Sequence, residues 1–184
     1  MFRRTGVLML VGAAAASFAV TGAPAASGQN IQATVLRYDD SQAAEFKDAV
    51  ARGVQVWNEN VRNVRIEKVA AGQRAEIRVI ATNGWPQANL GPVRPGGSVN
   101  VWMGREAVNQ GYNTIRIAAH ELGHSLGLPD RKPGPCSSLM SGSTGGVSCT
   151  NPLPNATEKA AVERNYGGFT ARKPVDGRVL VDAA

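Results

Sequence analysis

The segment His120–His124, with the sequence His-Glu-Leu-Gly-His, constrains this chain more than any other feature. It holds both histidines of the 184 residues and lies within 114–126, which the apolar spacing predicts to be a helix capped by Asn113 or Thr114. Side chains four positions apart lie above one another on a helix face. Both imidazoles can therefore reach one Zn²⁺ ion at about 2.0–2.1 Å.

Glu121 completes the pattern H-E-x-x-H. It follows the first histidine, so its carboxylate projects near the same face and can meet a metal-bound water without binding the metal. The pattern predicts that His120 and His124 are metal ligands and that Glu121 is the general base of a metal-assisted hydrolysis. The alternative interpretation is a pair of polar surface histidines on an amphipathic helix.

A catalytic zinc ion takes three protein ligands, so a third ligand must come from outside the histidine pair. The ligand is a carboxylate, or a cysteine if no disulfide forms, and the acidic candidates after the motif are Asp130, Glu158, Glu163, Asp176 and Asp182. Gly127 can adopt positive φ and Pro129 prevents the helix from continuing, so the chain bends back toward the metal at Asp130. Asp130 is the best candidate by this geometry, although an Asp after Pro is also common in turns.

The remaining sequence predicts an α+β domain. Alternation and β-branched residues predict strands at 31–38, 64–69, 76–81 and 98–103. Apolar spacing predicts a helix after Ser41, which can cap it, and Asn155 with Glu158 opens a last helix that ends at Gly167-Gly168. The many Gly and Pro residues within 84–97 predict a loop or a broken edge strand there. The Pro, Gly and Ser residues within 129–154 predict little regular structure in that segment. This order of elements is typical of the α+β class.

The first 26 residues resemble a secretory signal peptide. Arg3 and Arg4 form a charged start, an uncharged apolar run covers 6–20, and Ala23-Pro24-Ala25 offers small residues for cleavage. The alternative is a membrane anchor, but the run is short for a span of about 20 residues. We therefore expect a secreted, extracellular protein with a signal peptide at 1–26, a zinc metallopeptidase domain at 27–169 and a flexible tail at 170–184.

Cys136 and Cys149 are the two cysteines of the chain. An even count in an exported protein predicts a disulfide, which closes a short loop and contributes about 3 kcal/mol in the chain-entropy model. The alternatives are two free thiols or two thiolate zinc ligands, although thiolate sites usually cluster their cysteines as C-x-x-C.

Charge patterning and hydropathy argue against nucleic acids and membranes as partners. The net charge is +6, and Arg3 and Arg4 of the expected signal contribute two of those charges. Lys and Arg form no runs and do not alternate with aromatic residues, so nucleic-acid binding is not expected. No later segment is apolar enough to cross a bilayer, so no membrane contact is expected after signal cleavage. We expect a monomer that acts on proteins or peptides.

The long motif His120-Glu121-x-x-His124-x-x-Gly127-x-x-Asp130, followed by Leu139-Met140-Ser141-Gly142, is similar to the extended metzincin motif with its Met-turn. Metzincins usually end the motif in His, and the form that ends in Asp resembles the snapalysin family of small secreted bacterial neutral proteases. The runs 56–58, 127–130, 134–136 and 148–152 strengthen this resemblance, which extends from about Thr34 to Tyr166.

The resemblance implies a metzincin-like zincin fold. A mixed twisted sheet packs on two helices, zinc lies at the floor of a cleft, and a small C-terminal subdomain ends in a helix. It also implies proteolysis that favours aromatic residues after the scissile bond. The site roles that it implies are zinc ligation by His120, His124 and Asp130, catalysis by Glu121, packing beneath the metal by Met140 and a Cys136–Cys149 disulfide.

Two positions depart from the family pattern. Family members often carry a Tyr two residues after the Asp ligand, where it helps to hold the oxyanion, and this chain has Lys132 there. Lys132 is a candidate oxyanion donor with a different geometry. The family pattern also includes a calcium site with an Asp seven residues before the first motif His. Asn113 stands at that position here and argues against Ca²⁺.

Three function hypotheses follow. The first is a secreted zinc-dependent metalloendopeptidase in which Glu121 activates a zinc-bound water. The second is a secreted scaffold that holds zinc without turnover, which Lys132 favours and the retained Glu121 opposes. The third is an exported structural or adhesion domain in which His120 and His124 are incidental and no zinc is bound.

Overall fold

The structure of the chain is a computed structural model that describes residues 1–2, 32–168 and 177–183. Nearly all of the expected signal peptide at 1–26, and residues 169–176 with the first part of the expected tail, lie outside the described residues. Every helix and strand below belongs to one compact unit, residues 31–184. No helix in the described ranges combines the length and the apolar character that a membrane span requires.

A six-stranded mixed sheet forms the centre of this unit. Its strands are β1 (Thr34–Gln42), β2 (Val64–Lys68), β3 (Ile77–Thr82), β4 (Gln87–Asn89), β5 (Val99–Gly104) and β6 (Val179–Val181). The spatial order is β2-β1-β3-β5-β4-β6. The first four strands in this order are parallel, whereas β4 runs antiparallel to both β5 and β6.

Two long helices support the sheet. The helices are α1 (Lys47–Asn60), α2 (Arg105–Asn109), α3 (Thr114–Ser125) and α4 (Ala156–Tyr166), with 3-10 segments at Ala44–Phe46 and Leu139–Gly145. α1 and α3 pack closely because Gly53 has no side chain: a β-carbon there would lie 3.0 Å from the backbone of Ala118. The indole Nε1 of Trp57 donates to the carbonyl of Ala119 at 2.8 Å and fixes the pair of helices.

The apolar core lies between the sheet and these helices. It includes the fully buried side chains of Leu36, Ile66, Ile77, Met103, Trp57, Leu122 and Leu126. Burying one such side chain contributes about 1.5–3 kcal/mol. The α+β class predicted from the sequence is confirmed, as is the mixed sheet packed on two helices.

The end of β1 differs from the prediction. Ser41 lies within β1 rather than capping α1, and the 3-10 segment before α1 begins after Ala43 without a side-chain cap. The strand continues because Gln42 pairs with Ile80 of β3, and because buried Asp40 forms an ion pair of 2.7 Å with Lys68. These contacts between strands outweigh the capping signal.

Two further segments gain structure. The predicted broken edge strand within 84–97 contains the three residues of β4. The sequence predicts a flexible tail from residue 170, whereas the structure places β6 at Val179–Val181, hydrogen bonded to β4. A three-residue strand leaves too short an alternation pattern to be recognised in a sequence.

The C-terminal part after α3 is held by a cap and a cross-link. Asn155 and Glu158 form the predicted capping box at the start of α4, with side-chain hydrogen bonds of 3.0 and 2.7 Å. The predicted Cys136–Cys149 disulfide is present, with 5.5 Å between the α-carbons. It rules out the free thiols and the thiolate ligands that the sequence left open.

Candidate metal centre

Helix α3 presents the two histidines on one face. The side chain of Asn113 caps the helix by accepting from the amide of Arg116 at 2.9 Å, as predicted. His120 and His124 are buried, and their Nε2 atoms lie 3.0 Å apart. The interpretation as surface histidines is therefore wrong: both side chains are at most 1% exposed.

The second nitrogen of each imidazole fixes its orientation. Nδ1 of His120 lies 3.0 Å from the carbonyl of Leu139, and Nδ1 of His124 lies 2.7 Å from the carbonyl of Leu128. A carbonyl oxygen only accepts, so each Nδ1 carries the hydrogen and donates. In the neutral ring, Nε2 then offers a lone pair. With both rings neutral, two such lone pairs would face each other across 3.0 Å, so a proton or a metal cation between them stabilises the arrangement.

Asp130 brings the third donor atom. The chain leaves α3 through Gly127, which has φ of +93°, the conformation that the sequence analysis expects. The carboxylate oxygen Oδ1 of Asp130 lies 3.3 Å from Nε2 of His120 and 3.5 Å from Nε2 of His124. It has no conventional hydrogen-bond partner in the described part of the chain, although it is buried.

The three donor atoms fit a tetrahedral zinc ion. Zinc bonds to imidazole nitrogen and carboxylate oxygen at about 2.0–2.2 Å, which places tetrahedral ligand atoms about 3.3–3.6 Å apart. The observed separations are 3.0, 3.3 and 3.5 Å. Two nitrogens and one carboxylate oxygen are also a donor set that catalytic zinc uses, with a fourth position left for water.

The other acidic candidates for the third ligand are placed as follows. The carboxylate of Glu158 accepts from the amides of Asn155, Leu139 and Met140. The carboxylate of Glu163 accepts from the amides of Arg62 and Asn63. Asp176 lies outside the described residues. Asp182 does approach the site: it forms a close group with His120 and Glu121, with one donor atom of each within 4.8 Å of the others.

Glu121 is the unusual group of the site. It is fully buried, and both carboxylate oxygens lack a hydrogen-bond partner among the described residues. Burial raises its pKa well above the usual value of a Glu, and the negative charges of Asp182 and Asp130 add to that effect, while His120 opposes it. An unpartnered buried carboxylate is costly unless a ligand or water completes its contacts.

The three donor groups together favour one positive charge between them. Burial alone would lower the pKa of His120, but the carboxylates of Asp130 and Glu121 outweigh it and raise that pKa to about 9. Burial lowers the pKa of His124. Burial acts to raise the pKa of Asp130, but its contacts with the two imidazoles hold it well below its usual value. The anionic Asp130 between two imidazoles thus stabilises a bound proton, and for the same reason a bound cation.

Met140 packs beneath the histidine helix. Its side chain is buried, and a β-carbon on Gly123 would lie 2.9 Å from its sulfur and 3.1 Å from the ring of Trp57. Glycine at the fourth position of the motif therefore leaves room for both side chains. The amide of Met140 donates to Glu158 at 2.9 Å, which ties this turn to α4.

Sequence reasoning missed two supports of the site. The buried guanidinium of Arg116 donates to the carbonyls of Asn151 and Ser138 at 2.6 and 2.8 Å, joining α3 to the loop closed by the disulfide. The sequence does place Arg116 among the apolar residues of a helix predicted to be buried, and a charged residue at such a position indicates buried hydrogen-bond partners. The second is Asp182, which the sequence analysis weighed only as a third ligand; its position 62 residues from His120 gave no local signal that it lies beside Glu121.

Lys132, the candidate oxyanion donor, has its own partners. Its ammonium contacts the carboxylate of Asp182 at 2.5 Å and donates to the carbonyl of Ala183 at 3.2 Å. Asn113, which replaces the Asp of the family calcium site, uses its side-chain oxygen for the helix cap. The expectation that calcium is absent there remains a prediction.

Comparison with known families agrees with this geometry. The model of the Streptomyces extracellular neutral proteinase (M7) family matches residues 33–168. This chain belongs to the M7 family. The match spans β1 to β5, all four helices and the group His120, Glu121, His124 and Asp130. The M7 family is extracellular by its description, in agreement with the expected secretion.

Individual relatives of the M7 family support the assignment. The extracellular small neutral protease of Streptomyces caespitosus is 41% identical over 127 residues, which cover 69% of this chain and 92% of that protein. The protein of the same name from Streptomyces lividans is 37% identical over 148 residues, covering 80% of this chain. The matched part amounts to 63% of the length of the Streptomyces lividans protein.

One solved structure is similar in part. High choriolytic enzyme 1, a hatching enzyme zinc-protease from Oryzias latipes, covers 52% of this chain and 44% of its own, at 22% identity and a TM-score of 0.39. A TM-score this low supports no residue-level comparison.

Proposed function

We propose that this chain is a secreted zinc-dependent metalloendopeptidase that hydrolyses peptide bonds in proteins. The observation that carries the proposal is the unpartnered carboxylate of Glu121 beside three convergent donor atoms. Membership of the M7 family and relatives named extracellular small neutral protease support it.

His120, His124 and Asp130 would hold the zinc ion through Nε2, Nε2 and Oδ1. When bound, zinc supplies a Lewis acid that polarises the peptide carbonyl and makes water more acidic. The carbonyls of Leu139 and Leu128 set the direction of the two imidazole nitrogens before any ion binds, because each holds Nδ1 on the far side of its ring. Such contacts behind the ligands strengthen metal affinity.

Glu121 moves the proton. Its carboxylate accepts a proton from the water that attacks the carbonyl carbon, and then gives that proton to the departing amine nitrogen. Burial raises its pKa well above the usual value of a Glu, so the carboxylate is a stronger base than that of an exposed Glu. The absence of a competing protein partner, among the described residues, leaves both oxygens available for these transfers.

We further propose that cleavage favours peptides with an aromatic residue after the scissile bond. The resemblance to the snapalysin family supports this preference. Incubating the zinc-loaded protein with a mixture of peptides, followed by mass spectrometry of the fragments, should show aromatic residues enriched at the new amino termini. A flat distribution at that position would remove the preference and leave the peptidase proposal intact.

The second candidate is a scaffold that holds zinc without turnover. It is favoured by Lys132, which stands where the family often has a Tyr and is engaged in an ion pair with Asp182. Casein cleavage by the purified protein should disappear with a chelator and return with added zinc. Stoichiometric zinc in a protein that cleaves neither casein nor peptides would favour the scaffold.

A further inference from the structure

Strand β6 adds the end of the chain to the sheet as an extra strand on β4. Gln87 to Asn89 pair antiparallel with Val181 to Val179. Main-chain hydrogen bonds continue on both sides, from Leu90 to the carbonyl of Arg178 at 2.9 Å and from Asp182 to the carbonyl of Pro86 at 2.8 Å. The segment 177–183 is thus attached in the way that proteins bind extended peptides at a sheet edge.

The side chains of this segment contribute little to the core. Val179 and Val181 are 44% and 47% exposed, and within residues 177–183 only Asp182 is buried. Asp182 accepts from the amide of Ser143 at 2.9 Å and pairs with Lys132, and the hydroxyl of Ser143 donates to the carbonyl of Ala183 at 2.9 Å. The contacts that hold the segment thus include a short backbone ladder, the carboxylate of Asp182 and the carbonyl of Ala183.

The anchored carboxylate lies at the metal centre. A donor oxygen of Asp182 is within 4.8 Å of donor atoms of His120 and Glu121, and Asp182 lines the small pocket that opens beside His120. β4 lies next to the helix that carries both histidines, because the chain just after β4 is bonded to the end of α3: the amide of Gly91 donates to the carbonyl of His124 at 2.8 Å.

An extended substrate and segment 177–183 therefore compete for the same edge of β4. A peptide that brings its carbonyl to the donor cluster in extended form gains main-chain hydrogen bonds by pairing with an adjacent strand, and β4 leads directly into the chain bonded to His124. The free side of β4 is taken by β6, since its other side pairs with β5.

We propose that residues 177–183 are an autoinhibitory segment that occupies the substrate edge of β4 and closes the cleft beside His120 with the carboxylate of Asp182. The proposal rests on the peptidase function proposed above. Lys132 is the counterpart of this segment: the residue that departs from the family pattern is the one that binds Asp182. Displacement of the segment frees both the edge of β4 and the ammonium of Lys132.

The test uses point variants of the full chain. Pro86/Asp182 and Leu90/Arg178 are hydrogen-bonded pairs, so alternation along the antiparallel ladder makes Ala88/Leu180 another. Leu180→Pro removes the donor of that pair and should release the segment. Val179→Pro is the matched control, because its amide points away from β4 toward the exposed edge. Asp182→Ala removes the anchor in a second, independent way.

Two quantities are measured on the zinc-loaded proteins. Hydrogen exchange at Ala88 and Leu90 should be slow in the wild type and in Val179→Pro, and faster in Leu180→Pro and Asp182→Ala. For one peptide substrate, both releasing variants should show KM lowered about tenfold or more, because the competent state is no longer a minor population. In Leu180→Pro, which leaves every side chain of the donor cluster in place, kcat should stay nearly unchanged. A synthetic peptide of residues 177–184 should restore inhibition of Leu180→Pro competitively.

The outcomes separate the two proposals. Faster exchange in the releasing variants with unchanged KM would overturn autoinhibition and leave the peptidase function standing. Fast exchange of Ala88 and Leu90 in the wild type would show that the segment does not hold β4, and would also overturn autoinhibition. Lack of cleavage by every variant, including the released ones, would instead count against the peptidase function, and autoinhibition would fall with it.

Discussion

Each donor side chain of the metal centre has its direction fixed by the residues around it. The carbonyls of Leu139 and Leu128 orient His120 and His124, and the turn at Gly127 brings Asp130 to the histidine pair. The residue types could be predicted from the sequence because the two histidines and the turn are local in sequence. The carbonyls that orient the two imidazoles could not be predicted. Every residue has a carbonyl, and only the fold decides which one lies next to a given imidazole.

Removal of Asp130 should weaken zinc binding strongly. Losing a partner behind a ligand costs about 10–100-fold in metal affinity, so Asp130→Ala, which removes a donor atom itself, should lose about 100-fold or more. Competition with a chromogenic chelator measures the affinity. Asp48→Ala, on the exposed face of α1, is the matched control and should bind like the wild type. Equal affinity in Asp130→Ala would refute the assignment of Asp130 as a ligand.

Zinc binding should release about one proton at neutral pH. The pKa of His120 is raised to about 9, so this imidazole is protonated at pH 7 and must lose its proton before Nε2 can bind zinc. His124, with its lowered pKa, and the anionic Asp130 need no deprotonation at that pH. Zinc affinity should therefore rise about tenfold per pH unit between pH 6.5 and 8.5.

Calorimetry in buffers of different ionisation enthalpy counts the released protons directly. An affinity that stays constant across that pH range, with no proton release, would contradict the electrostatic description of the donor group.

At the scale of elements, α3 is clamped between α1 and the turn that holds Met140. Gly53 and Gly123 allow the close approach on the two sides, and Arg116 and Glu158 join α3 and α4 to the loop 136–149. The helices α1, α3 and α4, and the caps of α3 and α4, followed from periodicity and capping residues, whereas the short helix α2 was not predicted. The extension of β1 through Ser41 did not, because the pairing with β3 that keeps it extended involves residues far away in sequence.

Enlarging Gly53 should destabilise the protein. A side chain there meets the backbone of Ala118 at 3.0 Å, so Gly53→Val should force α1 and α3 apart and lower the free energy of unfolding by about 1–3 kcal/mol. Urea denaturation measures the change. Val has a higher helix propensity than Gly, so propensity does not account for a loss at position 53; Ala51→Val, on an exposed position of the same helix, shows the effect of a Val side chain without the helix contact. Equal losses in the two variants would show that helix contact is not responsible.

Reducing the disulfide should loosen the loop that carries Met140. The bridge spans 13 residues and contributes about 3 kcal/mol in the chain-entropy model. Denaturation with and without reductant measures the difference, and the double variant Cys136→Ser/Cys149→Ser should match the reduced protein. A reduced protein with unchanged stability would show that the loop is held by Arg116 and Glu158 alone.

At the scale of the whole molecule, two regions far apart in sequence meet at one cleft. The motif 120–130 lies on and after α3, and β6 comes near the end of the chain, yet Asp182 stands beside His120 and Glu121. The fold class, the grouping of His120, His124 and Asp130, and the disulfide could be predicted, because element order, motif spacing and cysteine count indicate them. The placement of Asp182 could not, because a three-residue strand with one acidic residue after it has no distinctive pattern.

The central claim is that Glu121 is the base of a zinc peptidase, and the direct test compares the wild type with Glu121→Gln. Zinc content should be equal, because Glu121 is not one of the three donors. The thermal midpoint should be equal or higher, because Gln removes a buried, unpartnered carboxylate whose pKa is raised by burial. The value of kcat/KM on one peptide should fall by about 10²–10⁴-fold, mainly in kcat, because Gln cannot accept the proton. Cleavage by Glu121→Gln within a few-fold of the wild type, at equal zinc content, would contradict the account.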